Sequence, residues 1–317
     1  MSFFFYFKLT LHKFTKMFRL LSKESNIFSI PVYLVFLFII ISVFNALNIS
    51  SLNLASTLIT FVGIALGYFV FNQIKLNYQK HLPLFLYTFF IFAFYPGDLN
   101  IGIAVSLFTN SFLLLFLTST DDEVRKDSYV LIGALLIVNF IFLPTTWPMI
   151  LFVIMHIFAT SRRIALDLLK ILLGGFLVGL SYLGVMYLIG YTTWNNAYFP
   201  FKGFKISTNF YPLYLLSPIA LLVIFAVFDH FKNFNKKSPS SRFKYSFILI
   251  FTLAQLITVI LYMGKSHEYL LFLALPFSVI LARYLKFLPK YWMRETGIWV
   301  IIFSVIFFKI GTYFNFF

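Results

Sequence analysis

Eleven times along its length this chain enters an apolar run of about 15 to 20 residues, which as helix crosses a hydrocarbon core of about 30 Å. The runs centre on Val35 to Ala46, Thr57 to Phe71, Leu84 to Tyr95, Ile101 to Leu117, Tyr129 to Leu143, Pro148 to Ala159, Ile171 to Ile189, Leu213 to Phe228, Tyr245 to Tyr262, Tyr269 to Leu285 and Ile298 to Tyr313. The third and sixth are short, which implies tilt, re-entry or shielding by neighbours. Spans at about 20 residues each leave under a hundred for all connections and ends, so no soluble domain fits. The expected fold is an all-α integral membrane bundle of about eleven transmembrane helices. Composition agrees: 61 % of residues are apolar and 11 % charged, with a mean hydropathy of +0.92, against about a quarter charged in soluble domains.

The net charge of +15 suggests nucleic acid until the basic residues are placed. With the amino terminus in the cytoplasm and eleven crossings, twenty-one of the twenty-five Lys and Arg fall in cytoplasmic segments. Lys202, Lys205, Lys265 and Lys309 are the exceptions. Basic residues retained inside are what orients polytopic proteins, so the charge reads as topology, amino terminus in and carboxy terminus out, and not as a nucleic-acid surface. Residues 1–28 carry Lys8, Lys13, Lys16, Arg19 and Lys23, with Leu11, Phe14, Phe18 and Leu21 at helical spacing. They read as a basic amphipathic leader on the inner leaflet, ahead of one transmembrane domain over residues 29–317. Asn48 to Leu54 is a short first outer loop without an acid.

The same topology sorts the acids. Glu24, Asp121, Asp122, Glu123, Asp127, Asp167, Asp229 and Glu295 map inside among basic residues, and mostly read as solvated loop. Asp98 in YPGDLN and Glu268 in GKSHEY fall outside, each at a turn between spans. A carboxylate there can take a proton from an attacking hydroxyl or hold a divalent cation against a phosphate. Asp98 reads equally as a residue of the Pro96-Gly97 turn, and Glu268 as the ion-pair partner of Lys265 or His267. Trp147 lies between Pro144 and Pro148 at an outer turn, where Trp favours the interface. Tyr191 to Phe210 mixes Trp194, Tyr198, Phe199 and Phe201 with Lys202 and Lys205, which suits an interfacial belt, a lid or a lipid-head contact.

Other chemistries are excluded or bland. There is no Cys, which removes thiolate sites and disulfides. The His at 12, 81, 156, 230 and 267 show no zinc spacing, and neither a phosphate-binding nor a dinucleotide glycine loop occurs. His156, inside a span, reads as packed or hydrogen-bonded to a neighbour. Gly174, Gly175, Gly179 and Gly184, with Ser181, read as faces for close helix approach. Asn110 and Asn139 are the polar groups that a transporter reading would use.

Two resemblances extend these readings. MFRLLSKESNIFSIPVYLVFLF, from Met17, and EYLLFLALPFSVILARYLKFLPKYWMRETGIWVIIF, from Glu268, resemble the two ends of a multi-pass inner-membrane family of Bacteroidota, a domain of unknown function. That resemblance implies a start at Met17 and assigns no activity. Lys265, His267, Glu268 and Tyr269 ahead of the Leu-rich run to Pro276, and the basic loop feeding the Gly-rich span in SRRIALDLLKILLGGFLVGL, are similar to C-type glycosyltransferases (GT-C). That superfamily takes sugars from polyprenyl-phosphate carriers at the outer face, using an acid of the first outer loop that Asn48 to Leu54 lacks.

The expected function is accordingly a GT-C-like transfer on a lipid-linked substrate, with Asp98 as base or cation ligand and Glu268 and His267 orienting it. Lys265, Lys202 and Lys205 would hold phosphate beside Trp147. No cofactor is expected beyond the divalent cation that the resemblance allows. The alternatives are a non-enzymatic subunit of an envelope complex and a transporter.

Overall fold

The computed structural model describes residues 17–25, 28–46, 54–74, 76, 80–118, 128–161, 163–191, 200, 204, 211–264 and 266–314. Lys202, Lys205, Lys265, Arg125, Lys126 and the leader before Met17 lie outside them. Among the described residues the regular structure is helical, and eleven helices have thirteen residues or more. They are α1 (Ser29–Ala46), α2 (Leu54–Ile74), α3 (His81–Phe94), α4 (Ile101–Leu117), α5 (Tyr129–Phe142), α6 (Pro148–Thr160), α7 (Ile164–Leu188), α8 (Ser217–Lys232), α9 (Pro239–Tyr262), α10 (Leu271–Phe287) and α11 (Tyr291–Tyr313). Each of the eleven apolar runs falls on one of them. Six helices are long and apolar enough to cross a membrane: α1, α2, α7, α9, α11 and α10 with the turn before it. Helices α3, α4, α5 and α6 are apolar but shorter. At 1.5 Å per residue the 14 residues of α3 cover about 21 Å, less than a hydrocarbon core. Its neighbours supply the missing shelter, for nine of its residues are buried.

α10 is the hub. It packs on α3, α8, α9 and α11, while α1, α2, α4 and α5 continue the assembly sideways and α7 closes the far edge against α5. The α5–α7 contact is close because Gly133 faces the backbone of Ile171 and Gly174 faces that of Val130, and a Cβ at either would collide with a carbonyl. Interior polar groups bond between helices. The Ser106 hydroxyl donates to Asn139 Oδ1 at 2.6 Å, and the Ser111 hydroxyl to the Gly63 carbonyl at 3.0 Å. Asn139 thus clamps α4 to α5, as polar side chains do in lipid. His156 is buried against the rings of Phe152, Phe243 and Phe247. Large apolar side chains are exposed on the outer helices, including Phe38, Leu172, Phe176, Phe228 and Phe307. Water would not tolerate so much apolar surface, and lipid does.

Contacts at the helix ends sort them into two sets. At one end the Glu295 carboxylate accepts from the backbone N–H groups of Met17 and Phe18 at 3.1 and 2.9 Å, which caps the helical turn Met17–Leu21 and draws Phe18 into the core. The backbone at Glu24 then forms an isolated antiparallel bridge with that at Lys80, just before α3. Arg283 donates to the Ser241 hydroxyl at 2.7 Å and lies 4.9 Å from the Tyr245 ring centre. Lys237, between α8 and α9, reaches His230 Nδ1 at 3.3 Å. Burial first, and then the Arg283 guanidinium, push the Lys237 ammonium below its ordinary pKa, and Asp229 opposes them. Asp167 is buried and accepts from the Ser161 hydroxyl across the α6–α7 turn. Glu295 and Asp167 are therefore structural caps and not solvated loop acids. This is the basic end of the bundle.

Candidate functional site

At the opposite end, α1, α3 and α11 finish together with the 3-10 turn His267–Leu270 that precedes α10. The Tyr95 hydroxyl donates to Asn45 Oδ1 at 2.7 Å, and Asn45 Nδ2 donates to the Thr57 hydroxyl at 3.2 Å. The Ser56 hydroxyl donates to the Leu99 carbonyl. These bonds tie α1, α2 and the α3–α4 turn into one polar floor. Lys309, one turn from the end of α11, reaches into it: Nζ donates to the Tyr95 carbonyl at 2.6 Å and lies 3.9 Å from the Phe44 ring centre and 6.0 Å from that of Phe92. A half-buried ammonium facing one carbonyl and two rings is held by charge–dipole and cation–π attraction. Among the described residues this is the one hydrogen bond of an ammonium that carries three protons.

The sequence candidates fall around this floor. Asp98 is half-buried in the turn after α3, and its carboxylate acts electrostatically on the Tyr95 phenol. The turn depends on Gly97, whose φ of 114° lies where side-chain-bearing residues are strained. His267 sets its ring edge-on to Phe308, the neighbour of Lys309, at 5.9 Å. Glu268 follows in the same turn, half-buried, and that turn packs against α3. Asp98, His267, Glu268 and Lys309 thus share one end of the bundle. Trp147 belongs to a neighbouring patch. Its Nε1 donates to the Tyr262 hydroxyl at 2.8 Å, Phe204 packs on the Tyr262 ring, and Thr145 meets the Tyr269 hydroxyl at 3.4 Å. Lys202, Lys205 and Lys265 lie outside the described residues.

An apolar groove leads to this end. Its volume is about 690 Å³ and it runs between α1 and α3, from Ser29, Tyr33 and His81 to Ile40 and Phe92. Phe92, which lines the groove, has its ring centre 6.0 Å from Lys309 Nζ, so one ring separates groove and ammonium. Lys309 sits inside an apolar run, where its sequence setting marks it less plainly than the outer lysines of the loops. The signal was present nonetheless, since an ionisable residue within a span marks a functional position by default. Among the described residues no three His, Asp or Glu side chains converge.

A bundle of long apolar helices with a polar floor at one end defines a multi-pass helical membrane protein. The chain belongs to the Family of unknown function (DUF6427), which it matches over residues 17–314. No curated protein and no solved structure matches it.

Proposed function

We propose that all eleven helices cross a bacterial inner membrane, amino terminus in and carboxy terminus out, and that the far end acts on the head of an anionic lipid whose chain lies in the α1–α3 groove. The topology rests on charge. Among the described residues every Lys and Arg except Lys309 belongs to the basic end, and such an end is cytoplasmic. The lipid reading rests on one observation, the groove of about 690 Å³ whose Phe92 ring lies between it and a half-buried ammonium. Apolar walls with a few placed polar groups are the usual build of a ligand site. The lipid would be of the polyprenyl-phosphate kind, its phosphate on Lys309, where exclusion of water makes the ammonium most effective.

In this reading the chemistry is GT-C-like. Asp98 takes the proton of an acceptor hydroxyl, the hydroxyl oxygen bonds to the sugar carbon, and the carrier phosphate leaves with the electron pair of the broken bond. His267 and Glu268 orient Asp98 and the acceptor. Replacing a general base costs about 10²- to 10⁴-fold in rate. Asp98→Asn and Glu268→Gln are therefore expected to change the profile of envelope glycans and lipid carriers. Lys309→Gln is expected to lower retention of anionic lipid on the purified protein about tenfold, or about 1.4 kcal/mol. Unaltered glycans and carriers in both acid variants would remove the enzyme, and unaltered lipid retention would remove the site.

A specific observation favours a second reading, a membrane subunit of an envelope complex. On α7, a Cβ at Gly179 or Gly184 would meet no atom of the described residues within 4 Å, which leaves small-residue faces for a partner helix. Purification in gentle detergent separates the two, because a stoichiometric partner supports the subunit and a lone chain does not.

A further inference from the structure

The basic end contains a second cavity, apart from the groove and from Lys309. It measures about 210 Å³ and is walled by Lys80, Lys286 and Arg294, with Phe18 and Leu82 beneath and Ser22 at its edge. The three cations come from three places in the chain: the residue before α3, the last turn of α10 and the first turn of α11. Arg294 is fixed in position, with Nε donating to the Leu288 carbonyl at 2.8 Å and its guanidinium carbon 5.7 Å from the Phe18 ring centre, so its Nη groups are the donors left for a ligand. Among the described residues, the acids near the cavity are fewer than its cations: the buried Glu295, whose carboxylate accepts from the backbone N–H groups of Met17 and Phe18, and the exposed Glu24. Helix α3 also begins here, with Leu82 in its first turn, so the positive end of its dipole adds to the field.

We infer that this cavity binds a phosphate-class oxyanion at the basic face. Guanidinium and ammonium groups converging from separate helices suit a tetrahedral anion, Arg by paired N–H donors and Lys as point charges. Basic pockets between membrane helices on the cytoplasmic side take lipid head groups by the same chemistry. The apolar floor of Phe18 and Leu82 suits an anion that carries acyl chains, while the small volume also admits inorganic phosphate. Because Phe18 and Ser22 belong to the amino-terminal segment, an anion here would fasten that segment to α3, α10 and α11.

The test uses the full chain in nanodiscs of phosphatidylcholine with or without phosphatidylglycerol, and separately in detergent with inorganic phosphate. Lys286→Gln, Arg294→Gln and Lys80→Gln are compared with Lys236→Gln, an exposed lysine of the same end. The expected result is a roughly tenfold loss of phosphatidylglycerol enrichment in the site variants and none in Lys236→Gln, with phosphatidylcholine unchanged. A melting temperature raised by inorganic phosphate in the parent and not in the site variants, with no lipid difference, would assign the cavity to free phosphate and sustain the oxyanion site. Folded site variants that match Lys236→Gln in both arms would overturn it. Lys309→Gln, measured in parallel, keeps this outcome separate from that of the far-end groove.

Discussion

α7 and α10 are both long and apolar enough to cross a membrane, and α7 is the more apolar of the two. In the most apolar eighteen residues of each, 78 % are buried for α10, counting its leading turn, and 6 % for α7. The difference runs opposite to what a soluble protein would show. In lipid the surroundings are as apolar as leucine, so apolarity gives no reason to move inward, and position is decided by packing and polar contacts. α10 has Ala274, Pro276, Ser278 and Ala282 among its leucines, with the Ser278 hydroxyl turned back to the Leu275 carbonyl at 2.6 Å. Small side chains let four helices approach it. α7 shows Leu166, Leu169, Leu172, Phe176 and Leu180 to the surroundings, and touches α5 mainly where glycines permit.

Paired truncations put the most weight on this contrast. Leu281→Ala, at a fully buried position of α10, should cost about 2–5 kcal/mol by leaving a void, while Leu180→Ala on α7 should shift stability by less than about 0.5 kcal/mol. Unfolding in mixed micelles measures both, and equal losses would mean that α7 is covered in the folded protein. A step smaller, Gly133→Val drives a side chain into the Ile171 backbone and should cost about 1–3 kcal/mol. A neutral result there would show that the α5–α7 contact is looser than the structure has it.

The buried region extends to the basic end through Glu295. Glu295→Gln keeps the shape but weakens the cap, at about 0.5–2 kcal/mol, and should speed proteolysis around Met17. Unchanged cleavage would place the amino-terminal turn outside the cooperative unit. Gly184→Val should be the mildest, within about 0.5 kcal/mol, since no atom stands in its way. If that silent change nevertheless strips a co-purifying protein, α7 is a partner-binding helix and its exposure is explained.

The legible and the illegible parts of this molecule divide along the same line. The eleven runs could be read because hydropathy is a property of each segment alone, and even the shortness of the third and sixth recurs in α3 and α6. His156 among aromatic rings was likewise foreseeable from its place in a span. Asp98 and Glu268 could be picked out as acids at turns, but the packing of the Glu268 turn against α3, whose end carries Asp98, joins segments far apart in the chain, which periodicity does not encode. Lys309 was hidden for the same reason: as a lone lysine in α11 it has no local partner, and its carbonyl acceptor is 214 residues away.

By itself the sequence determined that the chain is helical, how many apolar rods it carries and at which ends the basic residues gather, because helix formation and lipid solubility are settled within some twenty residues. Only the tertiary structure decided which rod stands in the middle, that one ring, Phe92, lines a groove and neighbours Lys309, and that Lys80, Lys286 and Arg294 wall one cavity. Those facts depend on which surfaces fit one another when the rods are all apolar, and that fit resides in pairs of distant residues.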